Sequence, residues 1–122
     1  MGAAADYLTN IGPTEIQAHN HELGSLLRSM LSKIPAIEFT VPIESTTGSI
    51  ATFNLPGMAA QGLARVLPSR FSIMTRAGFH CAQPLHEKFS LPESNRASVH
   101  LYNTKEDIIE LRDALIIISK TI

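Results

Sequence analysis

The spacing of apolar residues predicts one helix near the start of the chain and another at its end. Between Pro13 and Pro35 the apolar positions recur at steps of seven, four, three and four, and they are Ile16, Leu23, Leu27, Met30 and Ile34. This spacing places them on one helical face, with Pro13 suited to the first turn and Pro35 closing the helix. Near the end of the chain, steps of three and four connect Ile108, Leu111, Leu115, Ile118 and Ile122. Thr104, with Asp107 three residues later, resembles a capping box and predicts the start of this last helix.

Four short segments alternate between apolar and polar residues, a pattern typical of half-buried strands. They are residues 37–41, 51–55, 71–75 and 97–102. The first two segments are separated by residues 44–48, which have turn chemistry, so we expect them to form an antiparallel pair. The four segments together predict one small antiparallel sheet.

The remaining segments complete the predicted architecture. Residues 3–8 predict a short helix end stopped by Asn10, and residues 58–67 predict a helix ended by Pro68. Residues 76–91 have little periodicity, so we expect a loop with at most a turn or two of helix. The predicted fold is a single α+β domain, residues 1–122, in which helices cover an antiparallel sheet of about four strands.

Composition and charge exclude several classes of function. The chain has 122 residues, of which 44% are hydrophobic, and this is enough apolar material for one globular core. A net charge of -1 removes the basic footprint expected of a nucleic-acid-binding protein. The longest apolar run, residues 114–118, is far shorter than the roughly 20 residues that cross a bilayer. The first residues also lack a secretory signal pattern, so we expect a cytoplasmic setting without membrane or nucleic-acid partners.

The single cysteine, Cys81, is the strongest candidate for chemistry. One cysteine cannot form an internal disulfide or a multi-thiolate zinc site, and the five histidines are scattered, so we expect no metal. Cys81 follows His80 and lies near Arg76 in the predicted loop, where cationic neighbours favour the nucleophilic thiolate. The alternative is a buried, unreactive side chain, because free cysteine is among the most buried residue types.

Two motifs make the chain similar to a known family. The segments RAGFHCAQPL, residues 76–85, and NRASVHLYNT, residues 95–104, resemble the C-terminal part of Suf-type (NifS-like) cysteine desulfurases in the class V aminotransferase superfamily. The resemblance implies the small C-terminal domain of a fold-type I enzyme that uses pyridoxal phosphate (PLP). Such an enzyme removes sulfur from L-cysteine, giving alanine and a cysteine persulfide, and passes the sulfur to an acceptor protein of iron–sulfur cluster assembly.

The resemblance also implies roles for individual residues. Cys81 matches the nucleophile that becomes the persulfide, and Arg96 matches the arginine that holds the substrate carboxylate. Arg76 matches an arginine that faces the active site and contributes to substrate binding. His80 is a possible aid to the thiol, and a half-exposed loop histidine without that role is the alternative. The chain departs from the family pattern at Phe79, where a second histidine is usual.

Family members are much longer than this chain, and the resemblance covers roughly their last third. It implies that residues 1–12 form a linker helix from a large domain and that residues 13–122 form the small domain. The large domain carries the lysine and the phosphate cradle that bind PLP. The lysines here are in the wrong contexts to replace that lysine, and they are Lys33, Lys88, Lys105 and Lys120. We therefore expect no cofactor-binding residue in this chain, no PLP bound by it alone and no activity without the large domain.

Two classes of function remain open. The first is a part of a cysteine desulfurase that needs a PLP-binding large domain as its partner. The second is a stand-alone, non-enzymatic persulfide carrier, which would use Cys81 but would not need the carboxylate-binding Arg96. An ordinary aminotransferase domain is weaker, because it gives Cys81 no role. The apolar residues at the start of the chain predict self-association if the large domain does not cover them, and they are Ala3, Ala4, Ala5, Tyr7, Leu8 and Ile11.

Overall fold

The computed structural model describes residues 1–46 and 48–122. Its helices are α1 Gly2–Ile11, α2 Pro13–Leu31, α3 Ala60–Phe71, α4 Gln83–Lys88 and α5 Lys105–Ser119. Its strands are β1 Glu38–Phe39, β2 Ile50–Asn54, β3 Arg76–Gly78 and β4 Ser94–Ser98, and a 3-10 turn spans Ile43–Ser45. The turn predicted at residues 44–48 includes Thr47, which lies outside the described residues. None of the described helices combines the length and the apolar character needed to cross a membrane.

The strands form one four-stranded antiparallel sheet in the order β1-β2-β4-β3. In its central pair, Ala51 lies opposite Ala97 and Phe53 lies opposite Asn95. The edge strand β3 pairs with β4, which places Arg76 opposite Arg96. The predicted fold class, an α+β domain with about four antiparallel strands, is therefore confirmed.

The two faces of the sheet have different environments. Successive side chains of a strand point to opposite faces. Ala51, Phe53 and Ala97 share one face and are buried in a core with apolar residues of α2, α3 and α5. Thr52 and Arg96 share the other face and are only half-buried. We call this second side of the sheet, with Thr52, Arg76 and Arg96, the open face.

The last helix begins as predicted. Asp107 accepts hydrogen bonds from the backbone N–H of Thr104 and from the Asn103 amide, both at 3.0 Å, and the capping box is complete. The Thr104 N–H and the Asn103 amide lower the pKa of Asp107 because they stabilise its charged form. The helix ends at Ser119, so Ile122, which is part of the predicted periodic face, lies beyond it and is exposed.

The predicted start of helix α2 at Pro13 was correct, but the helix ends at Leu31 and not at Ile34.

Helix α2 packs closely against the loop before β2. Arg28 is buried, and its Nη1 donates hydrogen bonds to the carbonyl oxygens of Gly48 at 2.7 Å and Ile50 at 3.3 Å. A Cβ on Gly24 would collide with the same Gly48 carbonyl. This closeness explains why a glycine lies in the middle of the helix.

The predicted end of the third helix at Pro68 was wrong. Helix α3 continues through Pro68 to Phe71 and ends at Ser72, whose φ of 57° is left-handed. Proline removes one intrahelical hydrogen bond, but Leu63 and Leu67 are fully buried and hold the helix against the core. The tertiary packing of this face outweighs the local preference of proline.

Two predicted strands were misplaced. Phe71 belongs to α3, so the predicted strand at residues 71–75 does not form, and the third strand is Arg76–Gly78. The predicted loop at residues 76–91 therefore starts with a strand, although α4 matches the expected turn or two of helix. The fourth strand, Ser94–Ser98, begins three residues before the predicted segment at 97–102. Both errors have the same cause, because these strands consist of small and polar residues and lack an alternation of large apolar side chains.

Candidate functional site

Cys81 lies in the connection between β3 and α4, and its side chain is exposed. The buried alternative for this cysteine is therefore wrong. His80 and Cys81 have φ values of 54° and 61°, and Gly78 has a φ of 119°. Residues other than glycine seldom adopt this left-handed backbone, and such conformations persist where the surrounding structure holds them. The loop thus presents the cysteine in a sharply turned backbone.

An arginine contacts the cysteine directly. Arg76, the first residue of β3, donates a hydrogen bond from Nη2 to Sγ of Cys81 at 3.0 Å. The turn in the loop brings the cysteine back over the strand from which it left, which places the two side chains together. This contact places a cationic donor within hydrogen-bond distance of the sulfur. The structure therefore combines the predicted residues Arg76 and Cys81 in one site.

Arg96 lies next to this pair on the open face. It is in the middle of β4, directly opposite Arg76 on one side and Thr52 on the other. Its Nε is buried without a hydrogen-bond partner in the part of the chain that the structure describes. Within the same residues neither arginine has an ion pair, since the pairs found are Lys105 with Glu22 and Arg112 with Asp113. Two neighbouring guanidinium groups without an acidic partner can bind a small anion such as a carboxylate.

His80 lies near the arginines, but its hydrogen-bond partner is a serine. Its Nε2 lies 3.0 Å from Oγ of Ser94, and this hydrogen bond does not involve Cys81. Burial lowers the pKa of His80 most, and the positive charges of Arg96 and Arg76 lower it further. The imidazole is therefore neutral at pH 7. The structure does not place a hydrogen bond between His80 and the thiol.

Sequence reasoning missed two residues that support the loop. Ser94 is buried and bonds His80. His86 is also buried, and its Nδ1 lies 2.9 Å from the carbonyl oxygen of Pro92. A signal for Ser94 was available, because residues two apart on a strand share a face and Ser94 precedes Arg96 by two positions. His86 had no comparable signal in the sequence.

Metal-ligating side chains do not cluster among the described residues. No group of three histidine, cysteine or acidic side chains there could hold a metal ion. The loop thiol and the two arginines are thus the chemically distinctive part of the domain. Together, the fold and this site define a small α+β domain with an exposed thiol beside two cross-strand arginines.

The particular family follows from similarity to known proteins. The class-V aminotransferase model matches residues 1–111, and the chain belongs to this family. A cysteine desulfurase of Haloferax volcanii is 37% identical over 115 residues, which are 94% of this chain and 27% of that protein. A probable cysteine desulfurase of Halalkalibacterium halodurans is 40% identical over 94% of this chain and 28% of its own length. The chain thus spans less than a third of these relatives.

Solved structures show the same relationship. The apo structure of a cysteine desulfurase from Thermococcus onnurineus NA1 has a TM-score of 0.87 and 27% identity, and covers 96% of this chain and 29% of that one. A variant of the protein C-DES, in which glycine is covalently linked to the PLP cofactor, shares the fold with a TM-score of 0.62. At 16% identity over 79% of this chain and 22% of its own, C-DES shows the fold alone. These homologues are therefore cysteine desulfurases or probable ones, and one protein that shares the fold carries PLP.

Proposed function

We propose that this chain supplies the persulfide-forming thiol and the carboxylate-binding arginines of a cysteine desulfurase of the Suf type. The observation that carries the proposal is the contact of Arg76 with Sγ of Cys81, beside the unpaired Arg96 on the open face. An exposed thiol can approach a substrate sulfur, and the hydrogen bond from the neighbouring guanidinium can fix the position of Sγ. Membership of the family gives this arrangement a known class of reaction.

The proposed reaction is a transfer of sulfur from L-cysteine to Cys81. Sγ attacks the substrate sulfur, a sulfur–sulfur bond forms, and the carbon–sulfur bond of the substrate breaks. The electron pair of that bond stays on the substrate carbon, which takes up a proton and becomes the methyl group of alanine. Arg96 holds the substrate carboxylate through paired hydrogen bonds, and Arg76 orients Sγ through its hydrogen bond. The persulfide on Cys81 then passes its outer sulfur to an acceptor protein of iron–sulfur cluster assembly.

Two of the lysines of this chain have other contacts in the structure, which supports the expectation that they do not hold PLP. Lys105 is ion-paired with Glu22 at 2.7 Å, and Nζ of Lys88 lies 5.5 Å from the centre of the Phe89 ring. We therefore propose that the cofactor belongs to a separate large domain, for which residues 1–12 are the linker helix and residues 13–122 the small domain. The purified chain alone should be colourless, should retain no added PLP and should be inactive with cysteine.

A chimera tests this proposal. The matching 27% of the Haloferax volcanii relative is replaced by this chain, so that the large domain and the small domain form one polypeptide. We expect alanine release from L-cysteine and a mass increase of one sulfur atom on Cys81. The isolated chain should give neither product. Turnover by the isolated chain with added PLP would overturn the proposed need for a large domain.

In this chimera, Arg96→Lys should weaken the use of cysteine while PLP stays bound. Lysine keeps the charge but loses the two parallel N–H groups that fix a carboxylate, so the KM for cysteine should rise about tenfold. The exposed Arg65 of α3 provides a matched control, because Arg65→Lys makes the same exchange away from the open face. If Arg96→Lys and Arg65→Lys have the same KM, then Arg96 has a structural role only. That result would favour the persulfide carrier, which needs Cys81 alone.

Helix α1 provides the surface for contact with other domains. None of its residues is buried, and Tyr7, Leu8 and Ile11 are exposed. We propose that the large domain covers this helix and that, in its absence, two copies of the chain cover it for each other. Light scattering over a concentration series should show a dimer of the isolated chain and a loss of association in Tyr7→Ser/Leu8→Ser. A chain that stays monomeric at all concentrations would contradict this proposal.

A further inference from the structure

His86 is a buried histidine that the proposed reaction does not use. It is only 6% exposed, although it lies in the short helix α4 directly after the cysteine loop. Polar side chains are buried in this way when they have hydrogen-bond partners, so its contacts show what it holds in place.

The backbone of His86 joins the cysteine loop to the segment before β4. Its N–H donates to the carbonyl of Ala82, the residue after Cys81, at 3.2 Å. Its own carbonyl accepts the N–H of Leu91 at 2.8 Å. One residue therefore fixes both the entry and the exit of α4.

The side chain of His86 adds a third connection. Its Nδ1 lies 2.9 Å from the Pro92 carbonyl and 3.3 Å from the Leu91 carbonyl. Both partners are acceptors, so Nδ1 carries the proton and donates it to them. Pro92 lies two residues before Ser94, which in turn bonds His80. We call the hydrogen bonds from the His86 side chain to Leu91 and Pro92 the His86 tether. Through Ser94, this tether is connected to His80, the residue that precedes Cys81.

The imidazole ring also supports the other side of the loop. Its centre lies 5.2 Å from the Phe79 ring in an edge-on arrangement and 6.3 Å from the His80 ring. Phe79 and His80 are the two residues before Cys81, and the left-handed backbone at His80 and Cys81 needs such support. His86 therefore contacts residues before and after Cys81 in the chain. Its hydrogen bonds within the described residues do not involve Sγ of Cys81.

We propose that His86 is a positioning residue, which holds the turned loop so that Sγ of Cys81 meets Nη2 of Arg76. The proposal rests on the proposed role of Cys81 as the reactive thiol. Phe79, which replaces the second histidine of the family pattern, is part of the same support through its ring contact with His86.

The contact between Arg76 and Sγ of Cys81 can be measured by the rate at which iodoacetamide alkylates Cys81 in the isolated chain. In the wild-type background, Arg76→Gln should slow alkylation about fivefold, the change that one net hydrogen bond produces. In the His86→Phe background, the loop loses its tether, and Arg76→Gln should change the rate by less than about twofold. His86→Asn places an amide donor where Nδ1 was, so in that background Arg76→Gln should again slow the reaction by more than about twofold.

Controls separate positioning from general stability. His100 is exposed, and in the His100→Phe background the effect of Arg76→Gln should remain at its wild-type size. If His86→Phe does not fold, His86→Gln replaces it, because its donor lies further from the backbone than Nδ1. An equal effect of Arg76→Gln with and without the His86 tether would overturn the proposal. This measurement requires no persulfide, so it can fail while sulfur transfer by the chimera succeeds, and the reverse is also true.

Discussion

Cys81→Ser in the chimera should give no persulfide and lower the turnover of cysteine by at least about 10³-fold, as expected when a covalent catalyst loses its nucleophile. A serine hydroxyl stays protonated at pH 7 and is a poor nucleophile toward sulfur. The substitution should leave the fold unchanged, because the side chain is exposed and Ser72 and Ser90 already adopt φ values of 57° and 51° in this chain. Mass spectrometry of the intact protein and an alanine assay measure the two effects.

The interpretation of this variant is simple because Cys81 is the only cysteine of the chain. Residual sulfur on the small domain of the variant would have to reside on another type of residue. The exposed Ser25 offers a control, since Ser25→Ala in α2 should leave both readouts unchanged. Undiminished alanine formation by Cys81→Ser would contradict the role of the thiol.

Gly24→Ala should lower the free energy of unfolding by about 2 kcal/mol, within the usual cost of forcing an extra carbon into a packed site. The new Cβ would collide with the backbone carbonyl of Gly48, so α2 and the loop before β2 must separate. The same carbonyl accepts a hydrogen bond from the buried Arg28. Separation of the two segments would weaken this hydrogen bond and leave the guanidinium with fewer partners. Urea or thermal unfolding followed by circular dichroism measures the loss.

A second helical glycine provides the matched control. Gly62 lies in α3, and a Cβ there would meet only the flexible Met58 side chain at 3.4 Å. Gly62→Ala should therefore be neutral or stabilising by up to about 1 kcal/mol, the gain in helix propensity. Equal destabilisation of both variants would show that the Gly48 contact does not set the cost at Gly24.

The sequence predicted those parts of the fold in which local and tertiary preferences agree. The capping box of Thr104 with Asp107 is a local signal, and the helix it starts also has a strong apolar face. The helix containing Pro68 could not be placed correctly, because packing of Leu67 in the core overrides what proline prefers. The short strand β3 was not predicted, because its residues lie at the edge of the sheet and do not alternate between apolar and polar side chains.

The candidate site was predictable in its members but not in its geometry. The two motifs indicated Arg76, His80 and Arg96, and the structure places them on or next to the neighbouring strands β3 and β4. The hydrogen bond between His80 and Ser94 depends on where β4 begins, and the sequence placed this strand too late in the chain. The support by His86 depends on how α4 folds back, and no motif encodes that contact.

The cross-strand arginines give the open face a local sign that differs from the net charge of the protein. The whole chain carries -1, yet Arg76 and Arg96 lie opposite each other without carboxylate partners among the described residues. Their field reaches about one Debye length, roughly 10 Å at 0.1 M ionic strength. A small anion that approaches Cys81 is therefore steered by attraction, and added salt slows its arrival even though the protein as a whole is weakly acidic.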